Sequence, residues 1–90
     1  MGKGNIVIVV DHFNHRTYIF IAQVNSVNDR EADVTLLVPL NVDATHLTGA
    51  ANPIDLECVF TVDEFIQRYS WSREKIVSSI FEYNGKRAMV

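Results

Sequence analysis

The chain has 90 residues, of which 48% are apolar and 21% are charged. This length has room for one domain with one core, and this apolar fraction excludes a disordered chain. Twelve valines and eight isoleucines stand against four glycines and two prolines, a bias that favours β-strands.

The charge argues against nucleic acid as a partner. Eight Lys and Arg residues face eleven Asp and Glu residues, for a net charge of −3. The only adjacent basic pair is Lys86-Arg87, whereas a duplex-DNA binder needs a basic face to neutralise phosphates. No apolar run reaches the length of a membrane span, so we expect no membrane partner.

Other features of the sequence favour an intracellular setting, nuclear or cytoplasmic. Cys58 is the only cysteine, and there is no Asn-x-Ser/Thr acceptor for glycosylation. The apolar run Ile6–Val10 is too short for the core of a signal peptide. We expect this single domain, residues 1–90, to be part of a longer protein.

The first half of the chain predicts an antiparallel meander. The continuous apolar run suggests a first strand that is buried on both faces or that belongs to a small barrel. Polar turns then alternate with segments rich in β-formers. The predicted strands are 6–10, 18–27 and 32–38, and the predicted turns are 11–16 and 28–31.

The segment from Leu40 to Asp55 combines Asn, Asp, Gly and Pro with scattered apolar residues. It predicts a long surface loop with at most one helical turn. Leu56–Phe60 is then predicted as the fourth strand.

Helices are predicted near the C-terminus. Thr61 and Glu64 have the spacing of a capping box, which would begin a short helix that ends near Arg68. A second helix is predicted over 72–81. Residues 80–90 also fit a hairpin around Asn84-Gly85, and the same pair could instead end a helix at Tyr83.

A pattern of short motifs spans residues 4–80. The pattern consists of Phe20-Ile21-Ala22-Gln23-Val24, then Ser26-Val27, an acidic turn, and a third strand at 34–38. Phe60, Trp71 and the 74–80 segment follow at compatible spacings. This pattern resembles that of Tudor-like domains, which are SH3-like barrels. The resemblance implies a small antiparallel barrel with one or two short helices and a role in protein interaction.

The sequence departs from that family at several points. Ala22 stands where glycine is usual, and the aromatic-x-Trp-Pro after the fourth strand is replaced by 60–63. The Tyr-Gly-Asn turn of methylarginine readers is absent as well.

We expect no catalytic site, cofactor or metal. Cys58 has no local histidine partner, and we expect it to be a buried, inert thiol. The glycines form no phosphate-binding loop. Asp11, His12, His15 and His46 are conceivable metal ligands, but they lack the spacing of zinc motifs.

Aromatic residues are the better candidates for function. We predict that Phe13, Tyr18, Tyr69 and Trp71 form the partner-binding surface, beside the 40–55 loop. Such a cluster can anchor a peptide or hold a methylammonium group through cation–π attraction. We expect Phe20 and Phe60 to lie in the core, and the predicted core also includes Val24, Val27, Val34, Leu36 and Ile76.

The predicted function is therefore a non-catalytic interaction module for a peptide or protein, with a methylated peptide and a second copy of the chain among the partners considered. One alternative is a small α+β accessory protein or enzyme subunit, favoured if residues 61–83 form a helical hairpin on a three-stranded sheet. Another is a nucleic-acid-binding barrel.

Overall fold

A computed structural model describes residues 1–88. The chain is mainly β, with five antiparallel strands in a curled half-barrel and two helices at the C-terminal end. The strands are β1 (Ile6–Phe13), β2 (Arg16–Val27), β3 (Glu31–Pro39), β4 (Ala51–Asp55) and β5 (Val59–Phe60), and the helices are α1 (Val62–Tyr69) and α2 (Arg73–Ala88).

The strand order across the sheet is β4-β3-β2-β1-β5. The pairing of β2 with β3 shifts register twice, between Ile21 and Ala22 and between Val24 and Ser26. Such bulges bend and twist a strand, which helps this sheet to curl. At the second shift Asn25 donates from its side chain to Asp33 (3.2 Å) and Thr35 (3.0 Å).

The two faces of the curled sheet carry separate apolar clusters. The inner cluster takes side chains from all five strands, among them Val9, Phe20 and Val34. The outer cluster joins Ile8 and Ile21 to residues of the two helices. Strands with apolar residues on both faces read as continuous apolar runs. Within the predicted run Ile6–Val10, residues 7–10 are at most 2% exposed, whereas Ile6 at the start of the strand is 37% exposed.

The first turn is tighter than the predicted 11–16 loop. β1 continues through Phe13 and β2 begins at Arg16, so only Asn14 and His15 form the turn. Both have positive φ, 51° and 63°, which is the conformation of a two-residue type I′ hairpin. The polar residues Asp11 and His12 therefore belong to a strand that extends beyond the buried core.

The strand predicted at Leu56–Phe60 was largely wrong, because most of that segment is not a strand. β4 is Ala51–Asp55, and Leu56–Cys58 is a 3-10 turn that leaves only Val59–Phe60 as strand. Pro53 is tolerated in β4 because this strand lies at the edge of the sheet. The predicted single helical turn is present as a 3-10 turn at Thr45–Leu47.

The loop before β4 is held against the sheet. The Asn41 side chain accepts from the Ile19 backbone N–H (2.9 Å) and donates to the Thr17 carbonyl (2.7 Å). Gly49 has φ of 89° and its N–H donates to the Leu36 carbonyl. These bonds fix the position of the 3-10 turn relative to β2 and β3.

The capping box at the start of α1 is confirmed. The Thr61 hydroxyl accepts from the Glu64 N–H (3.1 Å), and the Glu64 carboxylate accepts from the Thr61 N–H (2.9 Å). The helix ends at Ser70, whose φ of 56° is left-handed.

The second helix is longer than predicted. It runs from Arg73 to Ala88 and passes through Asn84-Gly85, so no hairpin turn forms there. Met89 and Val90, the last part of that predicted hairpin, lie outside the described residues. A helical hairpin on a three-stranded sheet would have favoured the α+β alternative, whereas this sheet has five strands.

Most of the predicted core is confirmed. Val24, Val34, Leu36 and Ile76 are buried, but Val27 is 40% exposed. Val27 is the last residue of β2 and adjoins an exposed turn, so solvent reaches its side chain.

The predictions for three other side chains had mixed outcomes. Phe20 is buried as predicted, whereas Phe60 is only partly buried against the outer cluster. Cys58 was expected to be buried and is only half-buried.

Candidate functional site

The inner face of the half-barrel continues past its buried core towards the β1–β2 turn. Side chains alternate along a strand, so Asp11 and Phe13 lie on the same face as Val9. Asp11 is paired with Tyr18 across β1 and β2, and Val9 with Phe20. The Tyr18 and Phe20 rings stack at 6.5 Å with 13° between their planes. These residues form one wall of a groove.

The opposite wall comes from the segment before β4 and from β4 itself. This wall is lined by His46 and Leu47 of the 3-10 turn and by the 52–54 segment of β4. The groove between the walls has a volume of about 510 Å³. That size is within the range of sites that hold small ligands or side chains of a partner.

The exposure of the aromatic side chains increases from the floor of the groove to its mouth. Phe20 is 2% exposed and forms the floor, Tyr18 is half-buried, and Phe13 is 64% exposed at the mouth. Leu47, on the other wall, is 39% exposed. A large apolar side chain left in water beside a concave surface is a common feature of binding sites.

Asp11 places a carboxylate on the wall of this groove. Burial raises the pKa of the Cys58 thiol, and the negative charges of Asp11, Glu57 and Asp55 raise it further. All three acidic residues are therefore close enough to act on one sulfur atom. A raised pKa also keeps the thiol protonated, which makes Cys58 a poor nucleophile.

The structure divides the four predicted partner-binding residues into two pairs. Phe13 and Tyr18 line the groove on the inner side of the sheet. Tyr69 and Trp71 lie at the outer face, where Trp71 packs against the apolar cluster beneath the helices. The sheet separates the pairs, because α1 and α2 cover the face opposite to the groove.

Contacts within the chain already occupy the rings of the outer pair. Trp71 meets Phe65 edge-on at 5.3 Å, and Tyr69 lies 5.1 Å from the same ring. The Lys75 ammonium lies 4.5 Å from the Trp71 centroid, and the Arg68 guanidinium lies 5.8 Å from the Tyr69 centroid. These contacts favour a packing role for Tyr69 and Trp71, and their partner-binding role stays a prediction.

The residues weighed as metal ligands do not converge. Asp11 and His12 are neighbours in β1 and point to opposite faces of the sheet. The His12 ring is hydrogen-bonded to the Thr17 hydroxyl at 3.0 Å. Within residues 1–88 no group of three His, Cys, Asp or Glu side chains is placed to hold a metal ion.

Sequence reasoning placed the 40–55 segment beside the aromatic surface, but as a loop without β4, and it did not assign Asp11 or His46 to that surface. Asp11 was assigned to a turn, although the alternation of Val7, Val9, Asp11 and Phe13 was a signal that β1 continues. Asn52 is placed by the pairing of β4 with β3, and His46 by the hydrogen bonds that hold the 3-10 turn against the sheet, so neither position carried a signal in the local sequence.

Comparisons with protein-family models, curated proteins and solved structures found no match to this chain. Neither helix, within the described part of the chain, has the length and apolarity needed to cross a membrane.

Proposed function

We propose that this chain is a non-catalytic protein-interaction module with an SH3-like barrel, and that it binds a peptide segment in the aromatic groove. The observation that carries the proposal is the groove itself, where an apolar floor at Phe20 leads to an exposed ring at Phe13. Binding energy at interfaces concentrates in a few aromatic anchors of this kind.

The topology supports the SH3-like assignment. The first strand lies between the second and the fifth, and a short 3-10 turn links the fourth strand to the fifth. This is the connectivity expected of an SH3-like barrel, with the gap between β4 and β5 left open. The groove lies on the inner face that this curl creates.

The chemistry of the site supports binding over catalysis. The Cys58 thiol, half-buried beside the groove, has a raised pKa that disfavours a nucleophilic role. The walls are aromatic and aliphatic, with Asp11 as an acidic group. Such a surface suits an extended peptide, including one with a methylated ammonium group, which aromatic faces attract.

A selection experiment tests this function. A phage library of random peptides of about ten residues is selected on the full chain, and the enriched peptides are synthesised for affinity measurements. We expect Phe13→Ala to weaken binding by about tenfold, because it removes an aromatic anchor.

Phe81→Ala is the matched control. Phe81 is 71% exposed, similar to Phe13, but it lies on α2. We expect this variant to bind like the unmodified chain. If no peptide is enriched, or if the two phenylalanine variants weaken binding equally, the groove is not the binding site.

A further inference from the structure

One edge of the sheet is incompletely covered beside the groove. β1 has eight residues, but only Ile8 and Val9 pair with β5. Within residues 1–88, no strand pairs with the outer edge of β1 from Val10 to Phe13, although the Leu56–Cys58 turn that leads into β5 contacts β1. The backbone groups on such an edge can pair with an extended segment of another chain.

The other edge of the sheet is a poorer template. β4 pairs with β3 through Ala51–Asp55, and its outer edge includes Pro53. Proline has no backbone N–H to donate, and this protects an edge against strand addition. The free end of β1 contains no proline, so strand addition is favoured there.

The side chains next to the free edge define what an added strand would meet. Asp11 and Phe13 point into the groove, whereas His12 lies on the other face. A strand placed beside β1 would direct every second side chain towards Asp11 and Phe13. Opposite charges and apolar pairs on neighbouring strands stabilise such a pairing.

The acidic residues around this edge favour a basic partner. Asp11 lines the groove beside Phe13, and its negative charge, together with those of Asp55 and Glu57, raises the pKa of the Cys58 thiol. None of these three carboxylates takes part in an ion pair or a side-chain hydrogen bond with the described residues. Within residues 1–88 the one ion pair joins Arg73 of α2 to Asp63 of α1.

We propose that an extended basic segment of a partner protein adds to β1 as a further strand beside Val10–Phe13. It places a Lys or Arg side chain next to Asp11 and an apolar side chain next to Phe13, two residues apart. This proposal rests on the function proposed above, since it specifies the peptide that enters the same groove.

The composition of the enriched peptides gives the first test. We expect them to contain Lys or Arg two residues away from an apolar residue. Their affinity should fall as salt rises from about 0.05 M to about 0.5 M, because the charges are solvent-exposed. Asp11→Asn should weaken binding about three- to fivefold, the effect of one partly exposed ion pair.

Asp29→Asn is the matched control for charge. Asp29 is an exposed residue of the β2–β3 turn, at the opposite end of β2 from the groove. Asp29→Asn changes the net charge of the chain by the same amount as Asp11→Asn. We expect it to change affinity by less than about twofold.

Backbone methylation tests strand addition itself. In a paired strand only alternate N–H groups point towards the neighbour. N-methylation of two peptide residues whose N–H groups point towards β1 should weaken binding at least about tenfold. N-methylation of two residues whose N–H groups point away from β1 should weaken it less than about twofold. Equal effects for the two parities would overturn the β-strand geometry.

The outcomes separate this proposal from the proposed function. Enriched peptides that need Phe13 but are neutral or acidic would overturn the basic strand and leave the peptide module intact. Failure to enrich any peptide would overturn both. Peptides that are basic, sensitive to Asp11 and sensitive to one methylation parity would support both.

Discussion

On the outer face of the sheet, Ile8 and Ile21 lie beneath Phe65 and Ile76, and all four side chains are at most 1% exposed. On the inner face Val9 and Phe20 are buried to a similar degree, but further along the same strands Phe13 is 64% exposed. Two helices complete the first face, whereas a loop and a short edge strand only partly enclose the second.

This difference indicates separate roles for the two faces. A face covered by helices contributes burial of apolar surface, which is the main stabilising term in a domain of this size. The open end of the inner face leaves apolar surface in water, which costs stability unless a partner covers it. Substitutions on the outer face should therefore affect stability, and those at the groove mouth should affect binding.

Phe65→Ala should have the largest effect on stability. The side chain is fully buried between α1 and the sheet, and its loss would leave a cavity. We expect the free energy of unfolding to fall by about 3–5 kcal/mol, measured by urea denaturation. Phe81→Ala, at an exposed site, should change it by less than about 0.5 kcal/mol. Similar losses for both variants would contradict the assigned helix face.

Trp71→Ala should have an intermediate effect. Trp71 is half-buried against the outer cluster and contacts Phe65 and Lys75. We expect a loss of about 1–3 kcal/mol in the free energy of unfolding. Phe13→Ala should cost less than about 0.5 kcal/mol, because its ring is mostly exposed. A more destabilising Phe13→Ala would mean that the groove mouth is structural.

The capping box gives a smaller effect that depends on pH. The pKa of Glu64 lies below its ordinary value of 4.5. The main cause is the hydrogen bond from the Thr61 backbone N–H, and a hydrogen bond with the Thr61 side chain lowers the pKa further. Ionised Glu64 therefore stabilises the fold above the unfolded pKa, and this contribution is lost as the pH falls through the folded pKa. The stability gap between the unmodified chain and Glu64→Gln should close as the pH falls below 4.5.

Thr61→Ala is the comparison for that measurement. It removes the hydroxyl that caps the helix and should cost about 1 kcal/mol near neutral pH. It should also reduce the pH dependence, because the Glu64 carboxylate loses part of its hydrogen bonding. A gap between the unmodified chain and Glu64→Gln that widens in acid would contradict the capping account.

The smallest predicted effect is on the reactivity of Cys58. The charge of Asp11 contributes to its raised pKa, so Asp11→Asn should lower that pKa and speed alkylation by iodoacetamide. We expect an increase of less than about fivefold at neutral pH, in line with one screened charge. Asp29→Asn should leave the rate unchanged. An equal increase in both variants would contradict the position of Asp11 beside the thiol.

The sequence predicted the elements that depend on local patterns. The apolar run at Val7–Val10 predicted a strand buried on both faces, and the spacing of Thr61 and Glu64 predicted the start of α1. It did not predict β4, because Pro53 disfavours a strand unless that strand lies at an edge, which only the sheet order determines. The length of α2 was also missed, since Asn84-Gly85 favours a turn or a helix end on local grounds.

The candidate site was predicted in part for the same reason. Phe13 stood out as an aromatic residue among polar neighbours, and Tyr18 lies close to it in the hairpin. Tyr69 and Trp71 were grouped with them by residue type, but whether they share a face depends on where α1 and α2 pack. That packing follows from long-range contacts with Phe65 and Ile76, which no short motif records.

Amide chemical-shift mapping tests the separation of the two faces most directly. The enriched peptide is titrated into the isotope-labelled chain, and shift changes are followed for each backbone amide. We expect the largest changes at Val10–Phe13 and Tyr18–Phe20, with those on α2 near Val77 and Phe81 staying small. Changes concentrated on α2, with the β1 edge unaffected, would show that the helical face binds the partner and would contradict this account.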